Sequence, residues 1–168
     1  ETALGISLHF ESPENIPGER LIRIERLIAE HGAVGRAFIH ENLRNAFLIG
    51  YAMDSEQEII GTVVLKRQKD RYRRQIEAAA GLDLSGYLER GYTSVHPSWR
   101  GLGIAGKLIE GLIARSGDRC VYVTIDLKNL PALELTRKNK MVLAGTFFNP
   151  RTHRRIGVFV NQVPELAG

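Results

Sequence analysis

Residues 95–109 of this chain read VHPSWRGLGIAGKLI, with three glycines among six consecutive residues. The residues before this segment, 91–95, alternate as a strand does, and residues 104–114 carry apolar side chains at helical spacing. We therefore predict a strand, a glycine-bearing loop and the start of a helix. Glycines let the backbone turn tightly and let a ligand approach it closely. The first N–H groups of a helix have no intrahelical partner, which favours the binding of phosphate there.

This loop has two interpretations on spacing alone. Glycines at a strand-to-helix turn often serve packing only, whereas a phosphate-binding loop uses the same residues. The segment has neither the G-x-G-x-x-G pattern of dinucleotide-binding folds nor the G-x-x-x-x-G-K-[ST] pattern of P-loops. Arg100 favours phosphate, because its forked guanidinium matches phosphate oxygens.

A family resemblance adds to this interpretation. The run Arg100-Gly101-Leu102-Gly103-Ile104-Ala105 resembles the R/Q-x-x-G-x-G/A motif of the GCN5-related N-acetyltransferase (GNAT) superfamily, and residues 95–104 are similar to its longer acetyl-CoA signature. The resemblance implies that this loop holds the pyrophosphate of acetyl-CoA. The implied cofactor-binding residues are Val95, Arg100, Gly101, Leu102, Gly103, Ile104, Ala105, Gly106 and, from a second motif, Asn129.

The second motif, residues 125–132, departs from the family pattern at its end. Thr136 stands where the family usually has a tyrosine, and Lys140-Met141 stands where Gly-Phe is usual. A threonine hydroxyl can hydrogen-bond a departing sulfur but is too weak an acid to protonate it. The departure therefore leaves open which group serves as the acid.

Length and composition limit the possible classes of protein. The 168 residues suit one domain over residues 1–168, and 43% apolar and 25% charged residues are typical of a soluble globular chain. No apolar run approaches the roughly 20 residues that span a bilayer, and no signal peptide is visible, so we expect no membrane partner. A single cysteine, Cys120, favours a reducing compartment, and we expect a cytoplasmic location. No Cys/His cluster has metal-ligand spacing, so we expect no metal.

The charge of the chain makes anionic partners plausible. The net charge is +4, and residues 66–74, KRQKDRYRR, are the densest charged run. Such a run is usually a solvated face; it could also attract the polyanionic cofactor, contact an acidic acceptor or RNA, or form a lid on the acceptor side. Tyr72 is the one aromatic residue in this run, which is thin support for stacking on bases, so we do not expect a nucleic-acid partner.

The order of predicted elements indicates one mixed sheet covered by helices. Strands followed by helices around such a sheet indicate a three-layer α/β domain. The family resemblance implies a single α/β/α GNAT-like domain whose mostly antiparallel sheet splits at two central parallel strands. We predict strands at 5–10, 47–53, 59–66, 84–95 (with a bulge near its end), 120–127, 142–148 and 156–160, and helices at 19–31, 34–43, 71–80, 104–114 and 131–138.

The chemistry of acetyl transfer needs a base, because an alkylammonium with a pKa of about 10 is mostly protonated at neutral pH. Glu89 is the best carboxylate for this role, although an exposed glutamate beside Arg90 is an equally good interpretation. Tyr92 or Tyr87 could replace it, and each also suits packing. Thr136 is the candidate hydrogen-bond donor to the sulfur, and the resemblance implies a backbone N–H near Val95 as the oxyanion donor.

Two functions remain open on the sequence. One is an acetyl-CoA-dependent N-acetyltransferase that moves the acetyl group directly to an amine acceptor. The other is a non-catalytic acyl-CoA-binding or sensor module of the same fold, which Thr136 suggests. The resemblance also makes a homodimer through the terminal strands possible.

Overall fold

The structure is a computed structural model that describes residues 5–32 and 37–161. Its described residues form a seven-stranded sheet in the order β1-β2-β3-β4-β5-β7-β6 and five α-helices. The strands are β1 (Ser7–Glu11), β2 (Leu48–Met53), β3 (Ile59–Lys66), β4 (Leu88–Val95), β5 (Val121–Asp126), β6 (Val142–Asn149) and β7 (Arg154–Val160). The helices are α1 (Gly18–His31), α2 (Ile39–Arg44), α3 (Asp70–Ala80), α4 (Ile104–Ala114) and α5 (Leu130–Lys138). Two short 3-10 turns, Pro13–Asn15 and Pro97–Trp99, were not predicted.

The sheet is mixed, as predicted. Antiparallel pairs join β1 to β2, β2 to β3, β5 to β7 and β6 to β7, while β4 and β5 are parallel. The register of the parallel pair places Leu88 beside Val121 and Glu89 beside Tyr122. The prediction of an α/β fold with one central parallel pair in a mostly antiparallel sheet is confirmed.

The chain divides into two compact units, residues 1–67 with 90–117 and residues 68–89 with 118–168. Strand β4 contributes residues to both units, because the division falls between Glu89 and Arg90. That the whole chain behaves as one domain stays a prediction.

In the first unit, helices pack on both sides of β2. Ile49 and Tyr51 join the buried cluster that contains residues of α1 and α2, whereas a Cβ on Gly50 would lie 3.3 Å from Leu112 of α4. Successive residues of a strand point to opposite faces, so α1 and α4 cover opposite faces of these strands. Helix α4 lies close to β1 because residue 111 is a glycine. A Cβ at Gly111 would clash with the ring of Phe10.

In the second unit, α3 packs on β6 and β7 over a buried cluster of apolar residues. Ile76 of α3 belongs to this cluster, and an ion pair between Arg73 and Glu77, at 3.1 Å, stabilises the helix along its length. Glu77 also accepts a hydrogen bond of 2.7 Å from the N–H of Leu84, which fixes the chain after α3. The other members of the cluster are Leu82, Leu84, Tyr122, Val158 and Val160.

Several predicted boundaries differ from the structure. Strand β4 begins at Leu88, so the predicted start at residue 84 is wrong; Leu84 packs in the buried cluster, and Gly86 has a left-handed φ of +80° that interrupts the strand. Strand β1 lies at Ser7–Glu11, not at 5–10, because Gly5 is also left-handed. Of the predicted helix over 34–43, α2 covers Ile39 onward, and residues 33–36 lie outside the described residues.

Candidate active site

The loop between β4 and α4 has a backbone suited to an anion. Gly101 and Gly103 have φ values of +81° and +78°, in the left-handed region that glycine adopts without strain. A Cβ at either glycine would have no atom within 4 Å, so the space over the loop is open. Helix α4 has no side-chain cap and no acidic residue in its first turn, and its first intrahelical bond runs from the N–H of Lys107 to Gly103. The N–H groups of Ile104 and Ala105 precede that bond and lie at the positive end of the helix dipole.

Two cations accompany this loop. Arg100 is exposed, and its Nε donates a 3.1 Å hydrogen bond to the carbonyl of Val95, which holds the side chain beside the loop. The remaining N–H donors of the guanidinium suit phosphate oxygens. Lys107 adds an exposed ammonium in the first turn of α4. Leu102 is 45% exposed between the two left-handed glycines and is therefore available for contact with a ligand.

Tyr92, in the second half of β4, has a positive φ of 52°, and the bulge predicted near the end of this strand stays a prediction. The Tyr92 side chain is buried in the core of the first unit, and its hydroxyl accepts a 2.8 Å hydrogen bond from the Asn42 amide. The Lys66 ammonium lies 4.7 Å from the centre of its ring, within cation–π range. These contacts are those of a packed tyrosine, and its role as an alternative base stays a prediction.

Glu89, the candidate base, is only 5% exposed. The alternative of an exposed glutamate is therefore wrong: the side chain is withdrawn from water on the strand that pairs with β5. Burial raises the pKa of the Tyr122 phenol beside it, and the negative charge of Glu89 raises that pKa further. Glu89 therefore lies out of water beside a phenol that keeps its proton, and its role as the base stays a prediction.

The two candidates on α5 have different surroundings. Asn129 is exposed and caps the helix, because its Oδ1 accepts a 3.2 Å hydrogen bond from the N–H of Ala132. Its amide nitrogen is the group that could contact a cofactor. Thr136 is fully buried, so this position is closed to a larger side chain such as the tyrosine that the family pattern has there.

The candidates are divided between the two units. Tyr92, Val95 and residues 100–106 lie in the first unit, so the whole predicted pyrophosphate loop belongs to one unit. Glu89, Asn129 and Thr136 lie in the second. Among the residues that the structure describes, no group of three or more metal-ligating side chains could hold an ion. Within the same residues, every helix is too short or too polar to cross a bilayer.

Sequence reasoning missed Tyr122, which the structure places beside Glu89. The only sequence feature that points to this residue is its hydroxyl group, which is polar and lies within the apolar strand segment VYVTI. This pattern does not predict that Tyr122 lies beside Glu89, because that contact depends on the pairing register of two strands that are distant in sequence.

Comparisons with known proteins give a consistent result. NAA60 of Arabidopsis thaliana, solved in complex with acetyl-CoA, is 20% identical, with 92% of this chain and 98% of that chain covered and a TM-score of 0.66. The yncA protein of Salmonella typhimurium, solved with its cofactor acetyl-CoA, is 14% identical, with 98% and 97% covered and a TM-score of 0.63. A mutant of the spermidine N-acetyltransferase SpeG of Vibrio cholerae is 17% identical, with 93% and 92% covered and a TM-score of 0.59.

At these identities the solved structures show a shared fold alone. No curated protein matches the chain. The model of the acetyltransferase (GNAT) family matches residues 18–140, which is well over half of the sequence. This chain is therefore a member of the GNAT acetyltransferase family.

Proposed function

We propose that this protein is an acetyl-CoA-dependent N-acetyltransferase that moves the acetyl group directly to an amine acceptor. The observation that supports this most is the loop before α4, where two left-handed glycines lie under open space beside Arg100 and an uncapped helix N-terminus. A diphosphate fits such a site, because N–H groups and a guanidinium are its natural donors. Acetyl-CoA as cosubstrate fits these residues.

In this proposal, each predicted cofactor residue has a separate task. The backbone of residues 101–106 would donate to the pyrophosphate, and Arg100 would neutralise part of its charge. Asn129 would hydrogen-bond the pantetheine arm through its amide nitrogen, since its oxygen caps α5. Acetyl-CoA supplies the thioester whose carbonyl carbon is the electrophile.

The proposed reaction begins with proton transfer from the acceptor ammonium to Glu89, directly or through water. The amine nitrogen then attacks the thioester carbonyl, so that the C–N bond forms and the C–S bond breaks. The sulfur leaves with the bonding electron pair, and a second proton from the nitrogen reaches the thiolate to give free CoA. A backbone N–H near Val95 would stabilise the oxyanion, and the Thr136 hydroxyl would hydrogen-bond the sulfur.

A second candidate is a non-catalytic acyl-CoA-binding or sensor module. Its support is Thr136, which is fully buried and too weak an acid to protonate a thiolate. Such a module would bind acetyl-CoA through the same loop but would release no CoA with any amine. Turnover therefore separates the two functions, and binding does not.

The acceptor and the assembly are also matters of proposal. The acceptor classes to test are small amines, amino acids, antibiotics, and protein-linked or tRNA-linked amines. The name of one solved neighbour, a spermidine N-acetyltransferase, gives polyamines as a further class. A homodimer through the terminal strands is supported by β6, an edge strand with exposed Val142, Leu143 and Phe148. We further propose a cytoplasmic location, which is supported by the single cysteine of the sequence, Cys120, because one cysteine cannot form a disulfide within the chain.

The deciding experiment measures CoA release from acetyl-CoA with a panel of these amines. We expect at least one amine to give turnover, and we expect calorimetry to show acetyl-CoA binding. Binding without turnover across the panel would favour the sensor module, and the absence of binding would refute both functions. Light scattering during size-exclusion chromatography tests the dimer, which a monomer at micromolar concentration would contradict.

A further inference from the structure

Tyr122 of the second unit is a buried tyrosine next to the proposed base. It is fully buried on β5, and the parallel register places it directly beside Glu89 of β4. Neighbouring residues in paired strands project from the same face, so the phenol and the carboxylate share a face of the sheet. The ring of Tyr87 packs against the Tyr122 ring, with centroids 6.3 Å apart, which restricts its movement.

The hydroxyl of Tyr122 is buried and makes no hydrogen bond within the part of the chain that the structure describes. Buried polar groups almost always have a partner, so an exception needs an explanation. Glu89, Tyr72 and Arg73 act on the phenol electrostatically, and Glu89 also acts on it as a side-chain hydrogen-bond acceptor, although the two groups do not meet the geometry of a formed hydrogen bond. Arg73 can only donate hydrogen bonds and Tyr72 is 46% exposed on α3, so Glu89 is the buried acceptor in reach.

A second carboxylate of this unit has a different role. Both oxygens of Glu77 accept hydrogen bonds of 3.1 Å from Arg73, and one also accepts the N–H of Leu84. Glu77 therefore stabilises α3 and the turn after it. Of these two carboxylates, Glu89 is the one that the register brings to Tyr122.

We propose that Tyr122 is the positioning residue for Glu89: its hydroxyl closes a hydrogen bond to the carboxylate when the acceptor binds and fixes the direction from which the base takes the proton. This inference rests on the proposed acetyltransferase function. Catalytic hydrogen bonds are often long or poorly aligned before substrate binds, which accounts for the unpaired hydroxyl.

The protons of Tyr122, Glu89 and the acceptor can be followed through the proposed reaction. The phenol keeps its proton, since burial and the charge of Glu89 both raise the pKa of Tyr122. It donates to one carboxylate oxygen while the other oxygen receives the proton of the ammonium. The acceptor loses one proton, Glu89 gains it, and Tyr122 neither gains nor loses one.

The kinetic test compares wild type, Y122F, E89Q and the double variant with the amine that wild type acetylates fastest. Y122F should lower kcat about tenfold, with KM for acetyl-CoA and for the amine changed by less than twofold. The loss should vanish in the E89Q background, because a positioning residue acts only through the base. An unchanged kcat in Y122F, or losses that multiply in the double variant, would overturn the proposal.

The structural control is Y51F, which removes a hydroxyl from another fully buried tyrosine, one that bonds Glu11 and Arg20. We expect Y51F to lose stability and to keep the wild-type kcat. Y122F should fold, because its missing hydroxyl bonds nothing in the described residues. A Y122F protein that does not fold would show that the hydroxyl is structural and would also overturn the proposal.

Equilibrium unfolding in urea tests the pair without turnover. The register places Glu89 beside the phenol, and its charge already acts on the phenol in the free protein. Y122F and E89Q should therefore be non-additive, with a coupling of severalfold in the unfolding constant, whereas Y51F and E89Q should be additive. If wild type acetylates no amine, the proposed function fails while this coupling still decides whether Tyr122 and Glu89 interact. Additive effects of Y122F and E89Q on unfolding would refute the interaction itself.

Discussion

At the scale of single residues, Glu89 has the most demanding task in the proposed reaction. Its side chain is only 5% exposed, so the groups that can orient it are the few that pack around it. Tyr122 is one such group, and it reaches Glu89 from another strand. The surroundings of the proposed base therefore depend on how the sheet is paired as well as on the local sequence.

The first prediction concerns this base. Glu89→Gln should lower kcat at pH 7 by about 100-fold or more, because general base catalysis contributes that much. Raising the pH toward 10 should restore part of the rate, since more of the amine is already unprotonated. The pH–rate profile for the amine checks this, with the exposed Glu56→Gln as control. A profile parallel to that of wild type would exclude Glu89 as the base.

A second prediction concerns Thr136, which is fully buried on α5. Thr136→Val keeps the shape of the side chain and removes the hydroxyl, so it separates packing from hydrogen bonding. If the hydroxyl bonds the departing sulfur, kcat should fall by about tenfold or less, which is roughly one ordinary hydrogen bond. Thr136→Ser should recover most of the rate. Complete loss of activity in Thr136→Val, with acetyl-CoA binding intact, would show that the hydroxyl does more than bond the sulfur.

At the scale of elements, α4 links the core of the first unit to the predicted cofactor loop. Gly111 brings the helix close to Phe10, and a Cβ on Gly61 of β3 would lie 3.0 Å from the Ile104 side chain. Packing thus fixes the first residue of the helix, and the N–H groups that follow the loop are oriented by the core. The left-handed glycines then complete the turn.

The corresponding prediction uses two glycines with the same backbone. Gly103→Val should weaken acetyl-CoA binding at least 100-fold, because its side chain would enter the open space over the loop. Gly117 is also left-handed, with φ +67° and no atom within 4 Å of a Cβ, so Gly117→Val is a matched control. Both variants should lose about 1–2 kcal/mol of stability. Calorimetric titration distinguishes them, and wild-type affinity in Gly103→Val would remove the loop from the cofactor site.

The bounds of an element could be predicted from the sequence where its apolar residues recur without a break. They could not be predicted where the same apolar pattern continues into residues outside the element. The bounds of β3 and α4 match their predictions, because their apolar pattern runs without a break. The predicted start of β4 is wrong, because Leu82 and Leu84 alternate with polar residues as in a strand and yet precede a turn at residues 85–86, with both leucines packed in the buried cluster. The glycine loop was found because it is local in sequence, whereas the contact of Glu89 with Tyr122 depends on pairing between distant segments.

At the scale of the whole molecule, the question is whether the two compact units unfold together. Each has a buried cluster of its own, with Ile28 in one and Leu84 in the other. Strand β4 passes from one unit to the other without interruption, so melting either cluster removes part of the support of that strand. This continuity is the reason to propose one cooperative domain.

The last prediction tests that proposal by equilibrium unfolding in urea. Ile28→Ala and Leu84→Ala each remove a fully buried side chain and should cost about 2–5 kcal/mol of the free energy of unfolding. The fluorescence of Trp99, the single tryptophan, reports on the first unit, whereas far-ultraviolet circular dichroism reports on all helices and strands. If the chain is one domain, Leu84→Ala in the second unit should shift the Trp99 transition as far as the dichroism transition. A Trp99 midpoint that stays at the wild-type value while the dichroism curve splits in two would show that the units unfold independently.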